Sequence, residues 1–119
     1  MNKYRNIPSG QYASRKEARR ARELWLLQKA GKIFDLMEQV PFELIPAQYE
    51  SHPRYSKSGK RLKDGRRLLE RPVVYIADFA YQDKEGNTIV EDTKGVRTKE
   101  YIIKRKLMLY KHGIRIREI

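Results

Sequence analysis

Two aspartates set into apolar stretches, and a lysine close behind the second, are the residues of this sequence best suited to chemistry. Asp78 lies in Val73-Val74-Tyr75-Ile76-Ala77-Asp78-Phe79-Ala80-Tyr81, and Asp92 in Ile89-Val90-Glu91-Asp92-Thr93-Lys94-Gly95. A carboxylate within an apolar strand is costly unless something pairs with it. Two close carboxylates repel, which raises one pKa or calls for a cation. Mg²⁺, which takes oxygen ligands and keeps several waters, is the natural one. A metal so held lowers the pKa of bound water and orients a phosphate. Lys94 would hold the attacking hydroxide and offset charge on the phosphorane. The set therefore suits metal-dependent phosphodiester hydrolysis. The plainer alternative is a salt bridge between Lys94 and one aspartate, because a lone D-x-K triplet is common by chance.

The elements that must position these residues can be read around them. Residues 72–82 form a strong strand, Asp83-Lys84-Glu85-Gly86-Asn87 a hairpin turn, and Thr88 to Lys94 the antiparallel partner. Side chains alternate faces along a strand. Asp92, Lys94 and Val90 thus share one face and Glu91 the other, while Asp78 goes with Val74, Ile76 and Ala80. A short hairpin makes the strands neighbours, so the aspartates meet if the register allows.

Upstream, Ser14-Arg15-Lys16-Glu17 has a capping-box pattern and predicts a helix to about Ala30, with Gly31 as the stop. Glu17 has two readings here, a capping residue or a side chain reaching the metal from the stripe shared with Ala21 and Leu24. Leu36 to Ile45 reads as a strand that Pro41 confines to an edge or bulge. Residues 46–71 form a long polar connection with eight Lys or Arg between Arg54 and Arg71, and with at most a helical turn near Arg66 to Glu70. Thr98 caps a second helix to about Lys111, closed by Gly113, and residues 114–119 alternate as a final strand. Residues 1–13, broken by Pro8, Ser9 and Gly10, are either an arm on a phosphate backbone or a frayed terminus. The fold class is α/β, one domain over residues 1–119, with a mixed sheet, flanking helices and a basic loop insertion at about 46–71.

Charge narrows the partner. Lys and Arg total 27 against 15 Asp and Glu, a net charge of +12 on 119 residues. Such a surface favours a polyanion, most commonly nucleic acid. The expected DNA contacts are Arg15 and Arg19 on the first helix, Arg54, Lys57, Lys60, Arg61, Lys63, Arg66 and Arg67 in the basic loop, and Lys99 on the second helix. A flexible, solvated loop is the alternative for residues 46–71. Cysteine is absent, which excludes disulfides and thiolate metal sites. No apolar run approaches a membrane span and no signal peptide is evident, so a soluble cytoplasmic protein is expected. His52 and His112 form no ligand pattern, Ser14 has no nearby base, and no glycine-rich phosphate loop is present.

The order helix, three strands, helix, strand, with Asp78 and then Asp92-Thr93-Lys94, resembles the PD-(D/E)XK endonucleases and their restriction-endonuclease-like αβββαβ core. That resemblance implies Mg²⁺, with Mn²⁺ able to substitute, held by Asp78, Asp92 and the Thr93 carbonyl. It gives Glu17 a part as the helix-borne acid and Lys94 a part beside the nucleophile. Ser14-Arg15-Lys16-Glu17-Ala18, Ala30-Gly31-Lys32-Ile33, Gln39-Val40-Pro41-Phe42, Ala77-Asp78-Phe79 and Val90-Glu91-Asp92-Thr93-Lys94-Gly95 are similar to a small phage family of such nucleases, implicated in Holliday-junction resolution. The pattern departs in having Asp92 where Glu is commoner and Ala77 in place of a proline. The resemblance implies a phage- or prophage-encoded enzyme in the bacterial cytoplasm, cutting branched DNA to leave 5′-phosphates. Symmetric cutting of a four-way junction implies a C₂ homodimer, and the wide apolar face of the second helix (Ile102, Ile103, Leu107, Met108, Leu109) is either its interface or core. Other readings are a non-catalytic branched-DNA-binding module, a nuclease subunit of a packaging or transposition complex, and a ribosomal-type RNA-binding protein.

Overall fold

The computed structural model describes residues 12–119. The N-terminal arm or frayed end expected over residues 1–13 therefore lies, up to residue 11, outside the described residues. The elements run α1 (Arg15–Lys29), β1 (Phe34–Ile45), β2 (Gln48–Tyr55), β3 (Arg61–Glu70), β4 (Val73–Gln82), β5 (Thr88–Asp92), α2 (Lys99–His112) and β6 (Arg117–Glu118). Four strands form a mixed sheet in the order β1-β4-β5-β6, antiparallel except for the β5–β6 pair. The protein is thus α/β, a mixed sheet with two helices.

Local signals fix the helices. Ser14 is extended and its Oγ accepts the Glu17 amide at 3.0 Å, while Gly31 takes a left-handed φ of 75° just past the end of α1. Thr98 caps α2 in the same way, and Gly113 closes it at φ 68°. Each helix buries one stripe. Ala21 and Leu24 of α1 pack with Ile33, Leu36, Phe79 and Tyr81. Tyr101 and Met108 of α2 pack with Leu44, Tyr75, Ala77, Ala80, Val90 and Ile116. Phe79 and Ala80 are adjacent on β4 and so point to opposite faces. Their separate clusters place the helices on the two faces of the sheet.

Ala77 and Phe79, two apart, should share a face, yet they join different clusters. The alternation is therefore broken at Asp78. On β1, Glu38 pairs with Phe79 and Val40 with Ala77, so the residue facing Asp78 is Gln39, which has a positive φ of 54°. The positive φ of Gln39 lies beside Asp78, whereas the register shifts of β1 lie at Phe34/Met37 and Glu43/Ile45.

The polar connection expected at 46–71, including the optional helical turn at 66–70, is instead an antiparallel ribbon of β2 and β3. Both faces of this ribbon meet solvent, so no apolar alternation marks it in the sequence. Cross-strand contacts replace a core: the Arg66 guanidinium lies 3.9 Å from the Tyr49 ring centroid, and Arg67 pairs with Glu50 at 2.6 Å. The ribbon continues the register of β1 and β4. Ile45 pairs with Val73 and Gln48 with Glu70, so Pro46 stands opposite Pro72 at the break. Neither proline donates a ladder hydrogen bond. The molecule measures 66 × 33 × 32 Å, with a radius of gyration of 20.1 Å against roughly 13–14 Å for a compact chain of this length, and the arm accounts for the elongation.

Two boundaries also differ from expectation. β5 stops at Asp92, leaving Thr93 and Lys94 beyond the ladder, and β6 is confined to two residues.

Candidate active site

Phe79 and Glu91 form the last pair of the β4–β5 ladder, and the next residues, Asp78 and Asp92, interact through their side chains. Because β5 ends there, the chain turns and Thr93 folds onto the opposite strand. Its amide and its hydroxyl both donate to Asp78 Oδ2, each at 2.8 Å. Asp92 is 2% exposed. Its Oδ2 accepts the Tyr75 hydroxyl at 2.6 Å and lies 3.2 Å from Lys94 Nζ. The Lys94 ammonium also sits 4.3 Å above the Tyr101 ring centroid, a cation–π contact that limits its freedom. A cleft of about 340 Å³ lined by Tyr75, Lys94, Tyr101 and Lys104 opens beside this group.

Burial and the neighbouring Asp78 push the Asp92 carboxyl up to about 6, against the Tyr75 hydrogen bond and the Lys94 charge, which pull it down. Tyr75 is driven well above the ordinary phenol range by burial and by Asp92.

Glu17 approaches from another element. It is 4% exposed in the first turn of α1, and its Oε2 accepts Gln39 Nε2 at 3.3 Å. Burial, then the charge of Asp78, push it up to about 7; Asp92 and Glu38 add to this, and a hydrogen bond with the Ala13 backbone opposes it. Capping and site roles coexist, since Ser14 Oγ holds the Glu17 amide while the Glu17 carboxylate feels both aspartates.

Three carboxylates from α1, β4 and β5 thus act on one another electrostatically. Among the described residues no group of three or more His, Cys, Asp or Glu side chains stands ready to hold a metal. Their oxygens are engaged instead, Asp78 by Thr93, Asp92 by Tyr75 and Lys94, and Glu17 by Gln39. The donor set is nonetheless all oxygen, which fits a hard cation. Burial first, and then the neighbouring carboxylates, raise Glu17 and Asp92; the match to Mg²⁺ rests on the oxygen donors alone.

The basic residues separate into two groups. Arg15, Arg19 and Lys99 are exposed on the helices, and Arg54, Lys57, Lys60, Arg61, Lys63, Arg66 and Arg67 are exposed on the arm. Arg20, on the same helix as Arg15 and Arg19, turns inward. Its Nε and Nη2 donate to the two Glu91 oxygens at 2.7 Å each, and Tyr81 also donates to the fully buried Glu91. Sequence reasoning assigned no role to Gln39 or Tyr75. Tyr75 carried a signal, because a buried tyrosine needs a partner for its hydroxyl. Gln39 carried none, since its value lies in a backbone irregularity.

Among the described residues, no helix is long and apolar enough to cross a membrane. No curated protein and no solved structure matches the chain. With residues 1–118 matching, the chain belongs to the family described as Protein of unknown function (DUF1064).

Proposed function

We propose that the protein is a Mg²⁺-dependent DNA endonuclease that hydrolyses phosphodiester bonds in branched DNA. One observation carries the reading: Asp78 and Asp92 interact from the adjacent strands β4 and β5, with Lys94 Nζ 3.2 Å from Asp92 Oδ2. With the arm set aside, the order α1, β1, β4, β5, α2, β6 agrees with a restriction-endonuclease-like core. Asp78, Asp92, Glu17 and the Thr93 carbonyl would hold the ion, Mg²⁺ or Mn²⁺. When bound, it supplies an activated water and neutralises phosphate charge. Lys94 orients the attacking hydroxide and offsets charge on the pentavalent phosphate. Tyr75 fixes the Asp92 carboxylate by donating to it, and the Tyr101 ring holds the Lys94 ammonium in place. Arg15, Arg19 and Lys99 grip backbone phosphates near the site. Symmetric cutting of a junction needs a C₂ homodimer. Ile103 and Leu109, 58% and 53% exposed on α2, supply apolar surface for it. The setting is the cytoplasm of a phage-infected or prophage-bearing bacterium.

The Lys94–Asp92 ion pair favours a second reading, a non-catalytic branched-DNA-binding module in which these residues only stabilise the fold. A partner-dependent nuclease subunit of a packaging or transposition complex is a variant of the first. The test uses end-labelled four-way junction, linear duplex and single strands, with Mg²⁺, with EDTA and with Asp92→Asn. Paired cuts in the junction, lost in EDTA and in the variant, are expected. Binding without cleavage in Mg²⁺ or Mn²⁺ would sink the nuclease reading for the isolated chain.

A further inference from the structure

We propose that the β2–β3 arm is a duplex-binding ribbon that grips DNA away from the scissile phosphate. This deepens the nucleic-acid reading above and rests on it. From Gln48 to Glu70 the chain carries seven Lys or Arg against three Asp or Glu. Two of those acids are spent internally, Asp64 on Arg61 at 2.6 Å and Glu50 on Arg67 at 2.6 Å. Arg54, Lys57, Lys60 and Lys63 are exposed and enter none of the arm's ion pairs. Among the described residues neither hydrophobic core uses this ribbon, and its length exceeds what closing the β1–β4 hairpin requires.

The two faces of the ribbon differ. Tyr49, Tyr55, Arg61 and Arg66 lie on one, with the Arg66 guanidinium 3.9 Å from the Tyr49 ring centroid and the Arg61 guanidinium 5.5 Å from that of Tyr55. Stacking on a ring lowers the entropy that a long cationic side chain loses when it meets a phosphate. The tip is also ordered: Ser56 Oγ accepts the Lys60 amide at 3.0 Å, the Gly59 amide bonds the Ser56 carbonyl at 2.9 Å, and Gly59 takes a φ of 88°. Lys57 and Lys60 are thereby presented on a rigid turn.

Reach and shape indicate the partner. A two-stranded ribbon is the size that the major groove of B-DNA admits. Roughly 55 Å of strand separates Arg61 from Asp78, more than one helical turn of duplex, about 34 Å. Phosphates at the tip therefore belong to DNA flanking the cleaved bond, and the paired prolines at the root let the arm follow it.

The test compares two fourfold variants of the full chain in EDTA, by fluorescence anisotropy on a labelled linear duplex across a salt series. One carries Arg54→Gln, Lys57→Gln, Lys60→Gln and Lys63→Gln. The other removes as many charges elsewhere, Lys29→Gln, Lys32→Gln, Lys84→Gln and Lys111→Gln. The arm variant is expected to weaken Kd by about tenfold or more and to reduce the slope of log Kd against log salt by about 2–4, close to 0.9 per lost phosphate contact. The control should lose less than about 1. Equal losses in both variants, or none in the arm variant, would overturn the proposal while leaving any cleavage by the parent chain intact. Arm-specific loss in a parent that also fails to cleave in Mg²⁺ or Mn²⁺ supports the arm and defeats the nuclease reading for the isolated chain. A parent that binds no duplex overturns the arm proposal.

Discussion

The Tyr75 hydroxyl donates a 2.6 Å hydrogen bond to Asp92 Oδ2, the oxygen that Lys94 also approaches. It holds the buried carboxylate in one orientation and counters the burial that raises its pKa. Tyr75→Phe should cost about 1–3 kcal/mol, as expected when a buried acceptor loses its donor. It should also shift the acid limb of the cleavage pH–rate profile upward. Urea unfolding and single-turnover rates across pH check both; an unshifted acid limb would detach Tyr75 from the chemistry.

Lys94→Gln is expected to reduce cleavage on the order of 10²–10³-fold under saturating Mg²⁺ and DNA. Because the Lys94 charge pulls the Asp92 carboxyl down, the variant should also require a higher pH for its residual rate. Cleavage within threefold of the parent would remove Lys94 from the mechanism.

Metal-free protein should lose stability between about pH 4 and pH 7. Glu17 and Asp92 are pushed up in the fold to about 7 and about 6. The folded state therefore binds more protons than the unfolded chain across that window, and stability falls as pH rises through it. A tenfold change in proton affinity is worth about 1.4 kcal/mol, so a loss on the order of a few kcal/mol is expected. Glu118 acts at the other end. Hydrogen bonds from Arg97 and then Tyr101 hold it near 2, so its contribution fades only as pH falls below about 4.5. Denaturant unfolding at pH 5 and 7.5 should show the decline, with Glu17→Gln flattening it and added Mg²⁺ recovering it at the higher pH. A rise in metal-free stability over this range would contradict the assignment.

Arg20→Ala should destabilise the fold by about 3–5 kcal/mol, since it leaves the fully buried Glu91 without its bidentate partner. Replacing Arg20 and Glu91 together by apolar residues should cost much less. Double-mutant unfolding measurements decide it; additive losses would mean the pair is not coupled.

The helices were legible because their signals are local. Ser14 and Thr98 bond amides within three residues, and Gly31 and Gly113 take left-handed φ just past the helix ends. The β4–β5 hairpin was legible from its apolar alternation and the Asp83–Asn87 turn. The arm was not, because alternation marks a strand only where one face is buried, and both of its faces are wet. The inward turn of Arg20 was hidden for a related reason. Its partner Glu91 is distant in sequence, and a charged helix position looks the same whether it meets solvent or a buried acid. The site itself was read from Asp78 and Asp92, whereas Gln39 and Tyr75 depend on strand register.

The opposed Pro46 and Pro72 mark the break between two ladders that share one register. Because Ile45 and Val73 already face each other, a short turn joining them would leave the β1–β4 ladder in phase. The arm can therefore be excised or exchanged without shifting any side chain of the core to the wrong face. Amide exchange should report the same division, with arm amides opening at a free energy well below that of global unfolding. The proline pair is thus the point at which a ribbon of another length or charge can be joined to the sheet without disturbing its carboxylates.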